Sequence, residues 1–472
     1  MKRYCLYIVV FLFQIFSFGC SKDESSIVKQ DECNKVCNVL DNQINGSILN
    51  NDDMLLLMQC AGDTKISEEE VLQAAEDAQS LFSNTISKSS RANVCSQRKI
   101  DYCGSISKSS GNSDSIPVYF LNFEGGGFAV ISGDTRLPRI LAYSPEGTYE
   151  DDGESGYNFF MQRLPMYVRY TVDSVQSRYE SKKDSIFHVL ESYIPDSCKE
   201  QVSISKALPP VYTPAREPGK SYITMQTIDH RVYKSDVHEN FLSTVWHQNT
   251  PFNNRAPICA SSKDHMPAGC VVIALGQILA YHQYPSAING YYFNWTNILS
   301  NKYGLNDTAG VARFCLELGK LVKLNYGCEG SSSNIYKVYD ALQKLGYSSN
   351  PVMNFTESPI IFSLQNNRPV FIVGTNYVKN VAKDGHAWVI DGMYILNDAT
   401  TKMTALITAK GPINPHPEVL NYRSLFLHCN YGHLSNRPIY AAADVFKEII
   451  GGEDYLWTQC QIITNIRHYK PL

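Results

Sequence analysis

Between Met266 and Ile278 the chain places a cysteine, Cys270, directly after the small-residue turn Pro267-Ala268-Gly269 and at the head of an apolar run. Val271, Ala274, Leu275, Ile278 and Leu279 recur at helical spacing, which predicts a helix reaching about His282 and stopped by Pro285. A thiol at the start of a helix sits near the positive end of the dipole, which favours thiolate over thiol. Such a thiolate is a candidate nucleophile, and it requires a general base from elsewhere in the chain. Taken alone, Cys270 could equally be a small buried hydrophobe, as free cysteines often are.

The surrounding chain narrows the options. At 472 residues it exceeds the usual size of one domain, so two or more folded units are expected. A net charge of −4 with 19% charged residues argues against a nucleic-acid partner held by a basic field. At the N-terminus, Met1-Lys2-Arg3 precedes an apolar run from Leu6 to Phe18, broken only by Gln14 and Ser17. The run is too short for a comfortable membrane span and reads as a secretory signal. Gly19-Cys20 resembles a bacterial lipoprotein cleavage site, after which Cys20 is the acylated first residue; an ordinary signal cut near Gly19 is the alternative. Ser21-Lys22-Asp23-Glu24 resembles the export signal of surface lipoproteins. The expected location is therefore the cell envelope, at the outer membrane or cell surface, with release on processing a further outcome. Of the 14 cysteines, Cys33/Cys37 and Cys95/Cys103 are plausible local disulfides in an exported chain. Neither spacing makes a Cys-x-x-Cys motif, so neither a metal site nor a cofactor is expected.

Residues 1–19 read as the signal and 20–65, rich in Asn, Asp and Ser, as the acylated N-terminus and tether. A first domain follows over 66–206. It opens on a helix that Ser67 can cap, with Val71, Ala74, Ala75, Ala78 and Leu81 on one face. Val118–Phe123 and Phe128–Ser132 flank Gly125-Gly126-Gly127 as a hairpin; a strand follows these glycines, so they are no phosphate loop. A second helical stretch covers roughly 157 to 196. Four prolines within 207–220 make an extended, protease-accessible linker, placed at 207–222. In the last domain, 223–472, helices near 309–323 and 334–345 come first. Short β runs follow at Pro369–Gly374, His386–Asp391, Met403–Thr408, Ser424–Asn430 and Thr458–Thr464. Helices first and strands later imply an α+β domain whose halves face each other.

The best base for Cys270 is His386, which opens a strongly β-patterned run where a rigid strand would hold it. Gly385 beside it would let a substrate backbone come close. Asn430, ending another strand, is the candidate orienter of the imidazole, with Asp391 a rival. The backbone N–H of Cys270 and the side-chain amide of Gln248 are candidate oxyanion donors. His247, His265 and His282, near the nucleophile in sequence, read as structural or surface residues.

These residues, with Trp246-x-Gln248-x-x-Pro251-Phe252-Asn253, Ala268-Gly269-Cys270-Val271, Gln277-Ile278-Leu279-x-Tyr281-His282-x-Tyr284-Pro285 and Gly385-His386-Ala387-Trp388-Val389-x-Asp391-Gly392, resemble the streptopain family of secreted bacterial cysteine peptidases. Gly126–Asp134 and Ile140–Ser144 resemble that family's propeptide. The resemblance implies an α+β fold: a papain-like two-subdomain cysteine peptidase, with a helical half carrying the cysteine and an antiparallel β half carrying the histidine, preceded by an α+β propeptide domain. It implies a zymogen whose propeptide holds the catalytic histidine in an unproductive state. By carry-over Cys270 is the nucleophile, His386 the base, Asn430 the orienter and Gln248 an oxyanion donor, while Gly385 and Ser331 contact substrate backbone. The implied partners are protein or peptide substrates, the chain's own propeptide as inhibitor, and a membrane through the lipid at Cys20. One departure stands out. Where the family has Asn-Trp-Gly-Trp-Gly-Gly, this chain has Asn430-Tyr431-Gly432-His433-Leu434-Ser435. Two other readings remain open here: a catalytically weakened homologue acting as a surface binding protein, and a transglutaminase-like thiol acyltransferase with Asp391 as orienter.

Overall fold

A computed structural model describes residues 49–60, 64–82, 94–103, 115–149, 158–192, 202–204, 221–300, 310–378, 381–408, 411–432, 438–449 and 457–468. The N-terminal region runs α1 (Asn51–Cys60), α2 (Glu68–Phe82), β1 (Val94–Cys103), β2 (Ser115–Phe123), β3 (Phe128–Ser132), β4 (Ile140–Ser144), α3 (Asn158–Ser192) and β5 (Val202–Ile204). The C-terminal region opens on β6 (Ser221–His238), followed by α4 (Cys270–His282), β7 (Ala287–Ile288), β8 (Tyr291–Tyr292), α5 (Trp295–Leu299), α6 (Val311–Leu321), α7 (Ile335–Lys344), β9 (Tyr347–Ser348), β10 (Met353–Asn354) and α8 (Glu357–Gln365). It closes with β11 (Val370–Val378), β12 (Val381–Thr408), β13 (Gly411–Asn430), β14 (Ile439–Ala442), β15 (Trp457–Ile463) and β16 (Arg467–His468).

Local chemistry explains the starts and turns. Ser67 and Glu70 form a reciprocal capping box: the Glu70 N–H donates to Ser67 Oγ at 3.3 Å and the Ser67 N–H to Glu70 Oε2 at 3.1 Å. In the β2–β3 hairpin, Gly127 has φ 92, and a Cβ there would lie 2.8 Å from the Ser144 carbonyl oxygen. Only glycine meets both demands. The predicted strands His386–Asp391 and Met403–Thr408 are two parts of one continuous strand, β12.

The tether reading of 20–65 fails at its C-terminal end. Residues 51–60 form α1, whose Met54, Leu56, Leu57 and Cys60 pack on Tyr179, Ile186 and Phe187 of α3. Lys182 of α3 pairs with Asp53 at 2.6 Å. Short apolar contacts outweigh the polar texture of the neighbourhood. Ser221 and Tyr222, assigned above to the linker, begin β6. Residues 205–220, and the signal and Cys20, lie outside the described residues.

The four strands β1–β4 form an antiparallel meander, and β4 pairs with β14 through Ala142–Ala441 and Tyr143–Tyr440. One sheet therefore crosses both regions in the order β1-β2-β3-β4-β14-β13-β12-β11-β15-β10, with β6 added to β12. Two large cores result. One is made by α4, α6 and α7 with Phe371, Ala387 and Val389 of the sheet. The other joins α2, α3 and β2–β4 to Trp388, Ile390, Phe426, Cys429 and Tyr431. The alternation along β12 is the pivot. Ala387 and Val389 face the helical core, while Trp388 and Ile390 face the core shared with the N-terminal region.

Candidate active site

Cys270 is the first residue of α4. Its N-cap, Gly269, has φ 88, and a Cβ there would meet Leu324 Cδ1 at 3.0 Å and the Ser331 carbonyl oxygen at 3.2 Å. Conformation and space both require glycine before the cysteine. Burial pushes the Cys270 thiol up, while backbone N–H groups of Ala387, Val271 and Cys270 itself pull it down. The thiol thus lies at the amide that follows His386, although the residue keeps some surface exposure.

His386 stands on β12 opposite Gly374 of β11. Its Nε2 lies 2.8 Å from the carbonyl oxygen of Tyr431. Burial lowers its pKa and the Tyr431 carbonyl partly restores it. By strand alternation the ring projects with Trp388, onto the face away from Ala387 and α4. Phe159 of α3 fills the space above Gly374: a Cβ on Gly374 would be 1.9 Å from the Phe159 ring. The same ring packs on Trp388 at 5.1 Å. One turn on, Arg163 is fully buried and donates from Nε to the Val445 carbonyl and from Nη2 to the Lys447 carbonyl, each at 2.7 Å. Gln162 accepts from Asn376 Nδ2 of β11 at 3.1 Å. The N-terminal region therefore lays an aromatic ring over the strands beside the histidine and anchors a guanidinium near Tyr431 and Cys460.

Asn430 is brought to the neighbourhood but spends its amide elsewhere. Its Nδ2 donates to the Thr244 carbonyl at 3.0 Å and to Gln277 Oε1 at 3.2 Å, and its Oδ1 accepts from Gln277 Nε2 at 3.3 Å and from the Gly432 N–H at 3.3 Å. Gln277 was not assigned a role from sequence. It lies two turns beyond Cys270, wholly buried, and it ties the cysteine helix to Asn430 and to the Trp246 N–H. An amide inside an otherwise apolar helical run was the available signal, because a buried amide needs partners.

The Gln248 carbonyl accepts from the Ala268 N–H at 2.8 Å, which fixes Gln248 two residues from Cys270. Ser331 is buried, and its hydroxyl donates to the Pro267 carbonyl at 2.7 Å. Gly385 is exposed on β12 beside His386. Asp391 serves another histidine: its Oδ1 lies 2.5 Å from His428 Nδ1, and its Oδ2 accepts from the Leu242 N–H at 3.0 Å. Tyr431 is buried against Trp388, ring centroids 5.3 Å apart, and lies 6.0 Å from His386. His433 falls outside the described residues.

The local disulfide expectation is corrected. Cys95 is a free, exposed thiol, so the Cys95/Cys103 bridge is not formed. Cys33 and Cys37 fall outside the described residues. Cys259 is instead bonded to Cys328 across 69 residues. Among the described residues no three His, Cys, Asp or Glu side chains gather as a metal site, and no helix is long and apolar enough to cross a membrane.

A cysteine heading a buried helix, a histidine on the facing antiparallel sheet and an N-terminal domain wedged beside that histidine define a papain-like cysteine peptidase joined to its propeptide. Residues 246–434 match the Peptidase C10 family and residues 64–168 match the Spi protease inhibitor. The chain thus carries a Peptidase C10, streptopain-type, domain preceded by a Spi-type propeptide inhibitor domain. Streptopain of Streptococcus pyogenes serotype M28 is 26% identical over 320 residues, covering 58% of this chain and 68% of streptopain. The thiol protease/hemagglutinin PrtT of Porphyromonas gingivalis is 21% identical over 317 residues, covering 60% of this chain and 32% of PrtT. Among solved structures, a fragment of Prevotella intermedia prointerpain A aligns with a TM-score of 0.44 at 17% identity, covering 79% of this chain and all of the fragment.

Proposed function

We propose that this zymogen is an exported, lipid-anchored endopeptidase that uses a Cys270 thiolate and a His386 imidazolium. The reading rests chiefly on one arrangement: the Cys270 thiol takes the Ala387 backbone N–H, one residue from a histidine held by the Tyr431 carbonyl, on strands that Phe159 covers at Gly374 and Trp388. Removing the propeptide takes Phe159 and Arg163 from the sheet, which frees His386 to exchange the Tyr431 carbonyl for the thiol. The thiolate then attacks the scissile carbonyl, and the developing oxyanion is held by the Cys270 N–H and the Gln248 amide. His386 gives its proton to the leaving amine. A water then hydrolyses the thioester, with His386 as base, and the thiol is restored. Asn430 orients the imidazole in the active form through the amide that Gln277 now holds.

Purified full-length chain and Cys270→Ala supply the test. Wild type should process near residues 205–220, react at Cys270 with a papain-type epoxide and cleave casein; Cys270→Ala should do none of these. A processed wild type that leaves Cys270 unlabelled would sink the reading. Export and anchoring are tested separately. Cys20→Ala should abolish incorporation of a palmitate analogue and shift the protein from the membrane to the soluble fraction.

A further inference from the structure

Two loops build the wall beside Cys270. The first, residues 247–269, joins Gln248 to the nucleophile. It folds on itself through the Ile258–His265 bridge, through Cys259 N–H to the Asp264 carbonyl at 2.8 Å, and through Asn253 Nδ2 to the His265 carbonyl at 3.0 Å. The second, residues 324–333, is a narrow loop closed by reciprocal Asn325–Ser332 backbone bonds of 2.8 and 2.9 Å. Its tip, Gly327–Gly330, is so tight that a Cβ on Gly327 would lie 2.6 Å from the Gly330 carbonyl oxygen.

The loops are joined at two levels. At the root, Ser331 Oγ bonds the Pro267 carbonyl, and Gly269 packs under Leu324 and Ser331. At the tip stands the Cys259–Cys328 disulfide. The root alone is a hinge, because its few contacts cluster at one end of both loops. Apolar packing would not replace the bond at the tip: Glu329 and Gly330 are exposed and Ile258 is 59% exposed. The two sulfurs are unequal. Cys259 is buried while Cys328 is exposed. An external thiolate therefore meets the Cys328 sulfur first, with Cys259 leaving.

We propose that Cys259–Cys328 is a reducible staple that positions the substrate-binding wall of the site, so that full activity needs a reduced Cys270 and an oxidised staple together. The proposal rests on the peptidase reading above. A dithiol reductant opens the staple by balanced exchange. One of its sulfurs bonds to Cys328 and Cys259 departs as a thiol. The second sulfur then closes a cyclic disulfide and frees Cys328, so two electrons and two protons pass to the pair. The same dithiol keeps Cys270 active. Activity should therefore rise and then fall as reductant increases, and the fall should be in substrate binding rather than in the chemistry of the thiol.

Full-length wild type and the Cys259→Ser/Cys328→Ser double variant are allowed to process, then assayed on a peptide substrate across a dithiothreitol series. Alkylation and mass mapping report which cysteines are free. Wild type should show KM rising about 5–10-fold once Cys259 and Cys328 become alkylatable, with kcat within about twofold. The double variant should sit at the raised KM throughout. Amide exchange over 324–333 should quicken at least about tenfold in both opened forms, because loop closure then depends on the root contacts alone. Unchanged KM and exchange in wild type whose staple is demonstrably reduced would overturn the proposal. If the double variant does not fold, that wild-type series decides alone. Wild type that is folded but neither cleaves peptide nor labels at Cys270 breaks the peptidase reading instead, and the exchange measurement then tests the staple by itself.

Discussion

The two cores of this molecule differ in who owns them. Among the described residues, the core around α4, which carries Cys270, is built from residues 241–466 alone. The core on the other face of β12, where His386 projects, draws on α2, α3 and β2–β4 of the propeptide as well as on the peptidase sheet. The cysteine half is thus complete within the peptidase, while the histidine half is finished by the segment that must leave. Latency here is less a plug in a cleft than a borrowed layer of core. The β4–β14 pairing extends that loan through the backbone, since propeptide and peptidase strands belong to one sheet.

The largest test of this asymmetry removes the wedge. Phe159 is 4% exposed and lies on Gly374 and Trp388. Phe159→Ala should cost about 3–5 kcal/mol of propeptide docking. The uncleaved variant should then alkylate at Cys270 at least about a hundredfold faster, a 1.4 kcal/mol change being tenfold. An unchanged rate would mean that the histidine face does not depend on the wedge. Next comes Arg163→Ala, which leaves the Val445 and Lys447 carbonyls without their donor. Hydrogen bonds to a charged group contribute about 1.5–3 kcal/mol each, so a loss of about 3 kcal/mol is expected after water partly replaces them. The measurement is the affinity of separately expressed propeptide, residues 49–204, for processed enzyme, provided the isolated piece shows a cooperative melt.

How much of this was legible in advance follows the same division. The Cys270 helix was readable because its signals are local: a glycine before it, apolar period within it and proline after it. Its observed span, Cys270–His282, matches that reading. The strands carrying His386 and Asn430 were visible from β patterning, but the partners of these residues were not. His386 takes a carbonyl 45 positions away, and Asn430 takes Gln277 across 153. Such choices depend on which face of a strand is buried against what. Cys259–Cys328 escaped for a related reason, because cysteine spacing does not determine connectivity. Helix α1 was hidden because Met54, Leu56 and Leu57 are a short apolar patch in polar sequence, meaningful only once Tyr179 and Phe187 are placed beside it.

A third prediction concerns the peptidase-owned half. His282, the last residue of the cysteine helix, packs against His468 and Tyr347, ring centroids 5.4 Å from each, and its pKa is lowered to about 4 by burial and then by His468. The folded state holds this imidazole neutral while the unfolded chain protonates near 6.5. Its contribution is therefore present above pH 6.5 and lost as pH falls towards 4. Allowing for its partial exposure, the loss is at most about 2 kcal/mol. Wild type should melt earlier than His282→Phe as pH drops through this window, after the two are matched at pH 7.5. The gap should be the same before and after processing, because among the described residues no propeptide residue belongs to this core. A gap that changes on processing would break the claim that the two halves are independently owned.

The smallest effect is expected at Tyr431, where the chain departs from the streptopain pattern it resembles. Tyr431 lies in the shared core, 3% exposed, its ring tilted against Trp388 and its carbonyl offered to His386. Its hydroxyl is buried near the Cys429 thiol, a weak acceptor, and finds no hydrogen-bond partner among the described residues. What Tyr431 gives the histidine is thus a backbone oxygen and an aromatic face, and neither needs the hydroxyl. Tyr431→Phe should change stability by less than about 1 kcal/mol, since removing a poorly satisfied buried hydroxyl is close to neutral. Its latency and its processed activity should stay within about threefold of wild type. Tyr431→Ala removes the face as well and should lower processed activity far more. If Tyr431→Phe proves as damaging as Tyr431→Ala, the hydroxyl has a role in the active form that the Cys429 contact does not reveal, and the histidine half holds a polar element of its own once the propeptide has gone.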